Sequence, residues 1–531
     1  MPSPKMLVSA VFGTTALLLI TSHQTGPAVH LAEAADLSGG TSAAPNVLLI
    51  VADDLGVDKV GVYAHDADPD YIADTDYMPV TAILDNLAHS GVRFTDAWAN
   101  PTCSPTRATL LTGTHAFRHE VGSPIGYPNT TPELDPDTTV SLADTLSDAG
   151  YATALIGKWH LGEGETPPTW NPGDEWHDHL EEVTSVMSAP VSHGFDLFNG
   201  SLWGNLAVSG WGGYTDYLNL IGTADDGGTT EAFAESEYAT AAKVGDALDW
   251  IAAQSDPWFL VLSLNAPHTP LASPPGSCGY RGPLKYQSDT GESAEIEIEV
   301  YQQMVECLDE QLERLFDNIR DLDDTLILFM GDNGTEPEVA EGVYDDGRGK
   351  GTLYENGIRV PLIITDGRTL ATTLEGFTAN GDWLDSPVWV ENPGREIETP
   401  VHVVDLFATL AEITGAAADD AVDSTSLVSL LQDTSGDAPD DVYTELFEPE
   451  GEGTAAYRKD QYKLIVTVER RGPRYCRSSY ELYDLDSDRF EQTDLSTTET
   501  STLSDMVSAM EDLIGTADGS IWLDAEDCSG A

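Results

Sequence analysis

The sequence predicts an α/β fold: a large central, mostly parallel sheet flanked by helices, with a smaller C-terminal domain of antiparallel sheet plus helix. Three observations predict it. Asn46 to Ala52, Trp258 to Leu264 and Thr325 to Met330 are continuous apolar, β-rich runs, the pattern of strands buried on both faces. Segments with helical spacing of apolar residues lie between them, and from about Asp441 the chain turns to short strand-like runs. At 531 residues, with a hydrophobic share of 41%, it can hold one large domain and one small one. The expected division is 46–440 and 441–531.

Lys and Arg number 24 against 91 Asp and Glu, a net charge of −67. Such a chain repels nucleic-acid phosphates and an anionic bilayer, so neither is an expected partner. Its self-repulsion suits a saline, halophilic setting where ions screen it. A very soluble secreted protein is the plainer alternative. Lys5, the apolar run Met6 to Ile20 and the cuttable Ala32-Glu33-Ala34 read as a signal peptide over residues 1–34, with 35–45 a flexible linker. The run is short for a bilayer span, although an uncleaved N-terminal anchor is the other reading. No later stretch is long and apolar enough for stable membrane insertion. The expected location is secreted, periplasmic or cell-surface.

Taken in order, the Asn46 to Ala52 strand ends in Asp53-Asp54-Leu55-Gly56. Adjacent carboxylates after a buried strand are costly unless something positive meets them. Beyond the carboxyl end of a sheet strand is also where ligands bind. Asp53 and Asp54 therefore read as ligands of a hard cation, or as an ordinary Asp-rich turn. Thr81 to Ser90 is an amphipathic helix closed by Gly91. Pro101-Thr-Cys-Ser-Pro-Thr-Arg-Ala-Thr-Leu-Leu-Thr-Gly113 places Cys103 at the mouth of a helix whose first turn carries Arg107. That is an anion site, or a buried cysteine before a helix. Val140 to Ala149 is a further helix. A short strand then ends at Ile156, and Lys158 and His160 follow in a Gly-flanked turn.

Glu163 to Glu237 reads as loops, rich in Gly, Trp, Asp and Pro. Its Trp203, Trp211, Tyr214 and Tyr217 suit either sugar stacking or a local core. Tyr238 to Gln254 is helical, and the Trp258 to Leu264 strand ends in Asn265-Ala-Pro-His-Thr-Pro270, which puts His268 at another strand end. After a long helix, Glu299 to Arg320, the Thr325 to Met330 strand ends in Gly331-Asp332-Asn333-Gly334 and repeats the logic of Asp53-Asp54. Gly347-Arg-Gly-Lys-Gly351 sets Lys350 in a loop able to approach a ligand closely. Leu362 to Thr365 is a strand and Val401 to Thr414 a helix closed by Gly415. Tyr457 to Val468 and Ser479 to Leu485 read as antiparallel strands, and Arg489 to Leu513 as helix-prone.

Cys-x-Pro-x-Arg followed by Thr-Gly, together with Gly157-Lys-Trp-His160 and the other strand-end motifs, resembles the type I sulfatases of the alkaline phosphatase superfamily. The resemblance runs from about Asn46 to Leu513. It implies an alkaline phosphatase-like sheet and hydrolysis of an aryl or carbohydrate sulfate ester. It implies that a formylglycine-generating enzyme oxidises Cys103 to Cα-formylglycine, whose hydrate is the nucleophile. Asp53, Asp54, Asp332 and Asn333, with the modified Cys103, are implied ligands of one divalent cation, Ca²⁺ before Mg²⁺. Arg107 and Lys158 are implied to orient and charge-stabilise the hydrate. His160 is implied to be its base, and His268 and Lys350 to meet the sulfate oxygens and protonate the leaving group. One departure is visible: Asn356-Gly357 stands where the family often has Gly-Gly, and Asn tolerates the left-handed geometry. A phosphonate or phosphate ester hydrolase of the same superfamily is the alternative activity, and an inactive binder of sulfated glycans the non-enzymatic one. Apart from Cys103, four of the five cysteines remain. Four allow three pairings; proximity in the chain gives Cys278–Cys307 and Cys476–Cys528.

Overall fold

Strand β1 (Asn46–Ala52) lies at the centre of a ten-stranded sheet. The computed structural model describes residues 44–515, apart from 65–77, 127–130, 163–187, 208–211, 225–230, 256, 279–292, 341–346, 376–387, 419, 437, 449–451 and 471–475. The expected signal peptide, linker, Trp211 and Cys528 lie outside the described residues. On one side β1 pairs in parallel with β8 (Trp258–Leu264), then β4 (Ala152–Lys158) and β5 (Leu197–Ser201). On the other it pairs in parallel with β9 (Thr325–Gly331). The margins are mixed: β10 (Leu362–Asp366), β6 (Tyr217–Thr223) and β7 (Glu231–Glu235) join antiparallel.

The period of two sorts side chains into two cores. Val47, Leu49 and Val51 of β1 enter one with Val261 and Leu328; Leu48, Ile50 and Ala52 enter the other with Leu262 and Phe329. Helices cover both faces, which explains the unbroken apolar runs of the central strands. The helix Cys103–Thr112 is buried along its whole length on one face, and Ala239–Ala253 and Ser293–Asn318 lie on the other.

Four sequence expectations change. The region read as loops contributes β5, β6 and β7, and its Trp203, Tyr214 and Tyr217 are buried in the two cores. β5 and β6 each carry a glycine and β7 has only five residues, so their periodicity is weak. Lys158 is the last residue of β4, not part of a turn, because the ladder to β5 continues through Ser201. The helix expected from Val401 begins only at Asp405: Val401–His402 pairs with Ala97–Trp98, and the Asp405 carboxylate accepts from the His402 amide. Tyr457 to Val468 divides into two strands at Asp460, a residue in the left-handed region.

The remaining strands, β13 (Asp441–Phe447), β14 (Gly453–Lys459), β15 (Tyr462–Arg470) and β16 (Cys476–Asp484), form an antiparallel sheet covered by the helix Thr500–Ile514. Val442, Ile465 and Tyr483 share a core with Trp98, Leu353 and Ile358 from the earlier part of the chain. Cys278 and Cys307 form a disulfide. Among the described residues no helix is long and apolar enough to cross a membrane.

Candidate active site

Because β9, β1, β8 and β4 are adjacent and parallel, their carboxyl ends open at one edge of the sheet. Asp53 and Asp54 follow β1, and Asp332 and Asn333 follow β9. All four are completely buried. The Asp54 amide donates to Asp332 Oδ1 at 3.0 Å, and Asn333 Nδ2 donates to Asp54 Oδ1 at 2.8 Å. Asp54 holds φ of 67°, a left-handed conformation that non-glycine residues adopt at a cost. Its carbonyl accepts from the Tyr301 hydroxyl at 2.6 Å.

Three cations meet these carboxylates. Lys158 Nζ lies 2.6 Å from Asp53 Oδ2. Arg107 Nη2 lies 2.7 Å from Asp332 Oδ2 and 3.9 Å from Asp53 Oδ1. Lys350 Nζ lies 2.7 Å from Asp54 Oδ1 and 2.9 Å from Glu336 Oε1. Gly157 allows the close fit of β4 to β8 that brings Lys158 there: a Cβ at this position would stand 1.8 Å from the Ser263 carbonyl oxygen. The Lys350 loop is fixed to the Cys103 stretch by the Gly351 amide, which donates to the Pro101 carbonyl at 2.8 Å.

Cys103 opens the helix Cys103–Thr112, and Thr102 before it supplies no side-chain cap, so the first amides are left for another partner. Cys103 Sγ is 3.1 Å from His160 Nδ1, and His160 Nε2 is 2.7 Å from the Ile125 carbonyl oxygen. A carbonyl only accepts, so Nε2 carries the proton and the Nδ1 lone pair faces Cys103. Burial, with Lys158 and Arg107 nearby, holds the imidazole far below its ordinary pKa, so it is neutral.

His268 donates from Nδ1 to the Thr269 carbonyl and turns Nε2 to within 3.7 Å of Asp54 Oδ2. Burial lowers its pKa to about 3. Burial opposes the charge on Lys350 as well, but Asp54 outweighs it and keeps the ammonium protonated.

The structure brings together every site residue expected from the sequence. Three neighbours were missed. Ser263, the one hydroxyl residue within β8, accepts from Arg107 Nη1 and donates to the Lys158 carbonyl at 2.7 Å. Its signal was a polar residue inside an apolar run. Glu336 and Thr335 follow Asn333 closely but carry no pattern of their own.

The arrangement fits a hard divalent cation. Two buried oxygens, Asp53 Oδ1 and Asn333 Oδ1, have no hydrogen-bond partner. A buried acceptor without a partner is rare, and oxygen donors suit Ca²⁺ or Mg²⁺. Burial drives the Asp53 carboxyl well up, and Asp332 and Asp54 add to the rise although Lys158 and Arg107 oppose it. More positive charge would relieve this. Asp53, Asp54 and His268 also offer possible ligand atoms within 4.8 Å of one another.

Comparison with known proteins bears on the same residues. A family model described as Sulfatase matches residues 45–416. Arylsulfatase D of Homo sapiens is 27% identical over 469 residues, covering 73% of this chain and 68% of that protein. Steryl-sulfatase of Mus musculus is 27% identical over 528 residues, covering 84% and 72%. A solved structure, Ps i-CgsB in complex with k-i-k-neocarrahexaose, superposes with a TM-score of 0.64 at 24% identity, covering 88% of this chain and 92% of that one.

Proposed function

The chain belongs to the sulfatase family and is a sulfuric ester hydrolase, and we propose that it works through Cys103 converted to Cα-formylglycine beside one divalent cation. The observation that carries this reading is the setting of Cys103: first residue of a buried helix, beside a neutral imidazole lone pair, among three cations. A hydrated aldehyde supplies two hydroxyls, one to attack sulfur and one whose deprotonation lets sulfate leave.

Asp53, Asp54, Asp332 and Asn333, with the modified Cys103, would hold the cation, Ca²⁺ before Mg²⁺. It would supply positive charge near the nucleophilic oxygen. Arg107 and Lys158 orient and charge-stabilise that oxygen while remaining paired with Asp332 and Asp53. His160 takes a proton at Nδ1, the atom that faces residue 103. Lys158, Lys350 and His268 meet the sulfuryl oxygens, where charge accumulates as the ester S–O bond breaks. The departing alcohol oxygen takes its proton from Lys350, which keeps one, or from His268 once it has been protonated.

The substrate class we propose is an aryl or carbohydrate sulfate, with a formylglycine-generating enzyme as the maturation partner. The protein is proposed to act outside the cytoplasm, because residues 1–34 read as a signal peptide. The test is mass spectrometry of the tryptic peptide ending at Arg107, from protein made in a host with the maturation enzyme. The aldehyde mass and reaction with a hydrazide are expected, and Cys103→Ala should keep the fold and abolish aryl-sulfate turnover. An unmodified thiol in fully active protein would overturn the mechanism.

A further inference from the structure

Two loops carry the expected cation ligands, 53–56 after β1 and 332–336 after β9, and a third, 347–351, carries Lys350. Thr335 touches all three and is completely buried. Its hydroxyl accepts from the Gly56 amide at 3.1 Å and donates to Asp58 Oδ1 at 2.6 Å. Its carbonyl accepts from the Lys350 amide at 3.0 Å. Gly56 is required by this contact, since a Cβ there would stand 2.6 Å from Thr335 Oγ1.

The other side-chain ties between the first two loops differ in kind. Asp54 N–H to Asp332 Oδ1, and Asn333 Nδ2 to Asp54 Oδ1, both end on carboxylate oxygens of the ligand set. A cation competes for those oxygens. The Thr335 ties use no atom of the ligand set, so they persist whatever the carboxylates bind. They also fix the backbone two residues after Asp54, where the chain leaves its left-handed φ of 67°.

We infer that Thr335 is a positioning residue for the cation site, its hydroxyl holding the two ligand loops in register through Gly56 and Asp58. The inference rests on the cation reading above. It predicts loss of cation affinity from a residue that touches neither cation nor substrate. Outer partners of metal ligands typically contribute about 10- to 100-fold in affinity.

The test is calorimetric titration of Ca²⁺ into the full chain, freed of metal by chelation. Thr335→Val keeps the shape and removes both side-chain hydrogen bonds. It should weaken Ca²⁺ binding about 10-fold or more, while Thr335→Ser retains wild-type affinity. A residue that merely stabilised the fold would lower the melting temperature without changing the dissociation constant. Wild-type affinity in Thr335→Val therefore overturns the inference and leaves the cation reading standing. A wild-type chain that binds neither Ca²⁺ nor Mg²⁺ overturns both. Should Thr335→Val fail to fold, Asp58→Ala takes its place. That substitution takes away the acceptor of the Thr335 hydroxyl, which loses its orientation. Weaker binding is expected there too, and unchanged binding overturns the inference.

Discussion

Arg107 is held by two kinds of contact, and the residue responsible for the second was invisible as chemistry in the sequence. Asp332 accepts from Nη2 and Nε, while Ser263 and the Lys158 carbonyl accept from Nη1, and the Ser263 hydroxyl donates to that same carbonyl. Asp332 fixes the charge, and Ser263 fixes the plane of the guanidinium. A hydrogen bond to a charged group contributes about 1.5–3 kcal/mol. Ser263→Ala should therefore lower kcat/KM on an aryl sulfate by about tenfold or more, with little change in melting temperature. Unchanged kinetics would show that Asp332 and the Lys158 carbonyl suffice to orient Arg107. Glu336 belongs to the same scale: burial and the neighbouring Asp54 raise it to about 7, although Lys350 opposes the shift.

At the scale of elements, the site is made by strand order. Parallel neighbours present their carboxyl ends on one edge, so motifs far apart in the chain arrive together. The antiparallel sheet takes part from behind. Lys463 of β15 is fully buried, with Nζ 2.9 Å from Glu355 Oε1 and 2.7 Å from Glu491 Oε1, and 4.8 Å from the Trp98 ring centroid. Glu491 also accepts from the Glu355 amide at 2.7 Å. Burial raises Glu491 to about 7, and Glu355 beside it contributes. Burial acts on Glu355 too, but Lys463, Arg458 and Arg359 hold its carboxyl low. Lys463→Met should remove the nearest cation from Glu355 and Glu491 and destabilise the fold by about 3–5 kcal/mol, seen as a lower denaturant midpoint. A midpoint equal to wild type would show that Arg458 and Arg359 suffice.

Across the whole molecule, 91 acids against 24 bases leave a net charge of −67. Repulsion on that scale opposes folding and fades as the Debye length falls from about 8 Å at physiological salt to about 3 Å at 1 M. The melting temperature should rise with added NaCl well beyond physiological strength. A flat or falling curve would remove the saline reading. Arg107, Lys158 and Lys350 balance Asp332, Asp53 and Asp54, so with a divalent cation bound the site would be a cationic island in this field. Salt should therefore also improve capture of an anionic substrate, measured as a falling KM.

The central strands, the helix at Cys103 and the paired carboxylates were legible in the sequence because each is a local pattern: an apolar run, a turn, a cap. So was the group of residues that meets at the strand ends, through motifs that carry their own spacing. Three strands between Leu197 and Glu235 were not legible, because short strands take their pairing from neighbours already in the sheet. The start of the helix at Asp405 was set by a two-residue pairing with Ala97–Trp98, some three hundred residues away in the chain. Ser263, Thr335 and Lys463 gained their places the same way. A hydroxyl or an ammonium has no role until partners distant in sequence surround it, and only the tertiary structure supplies those partners.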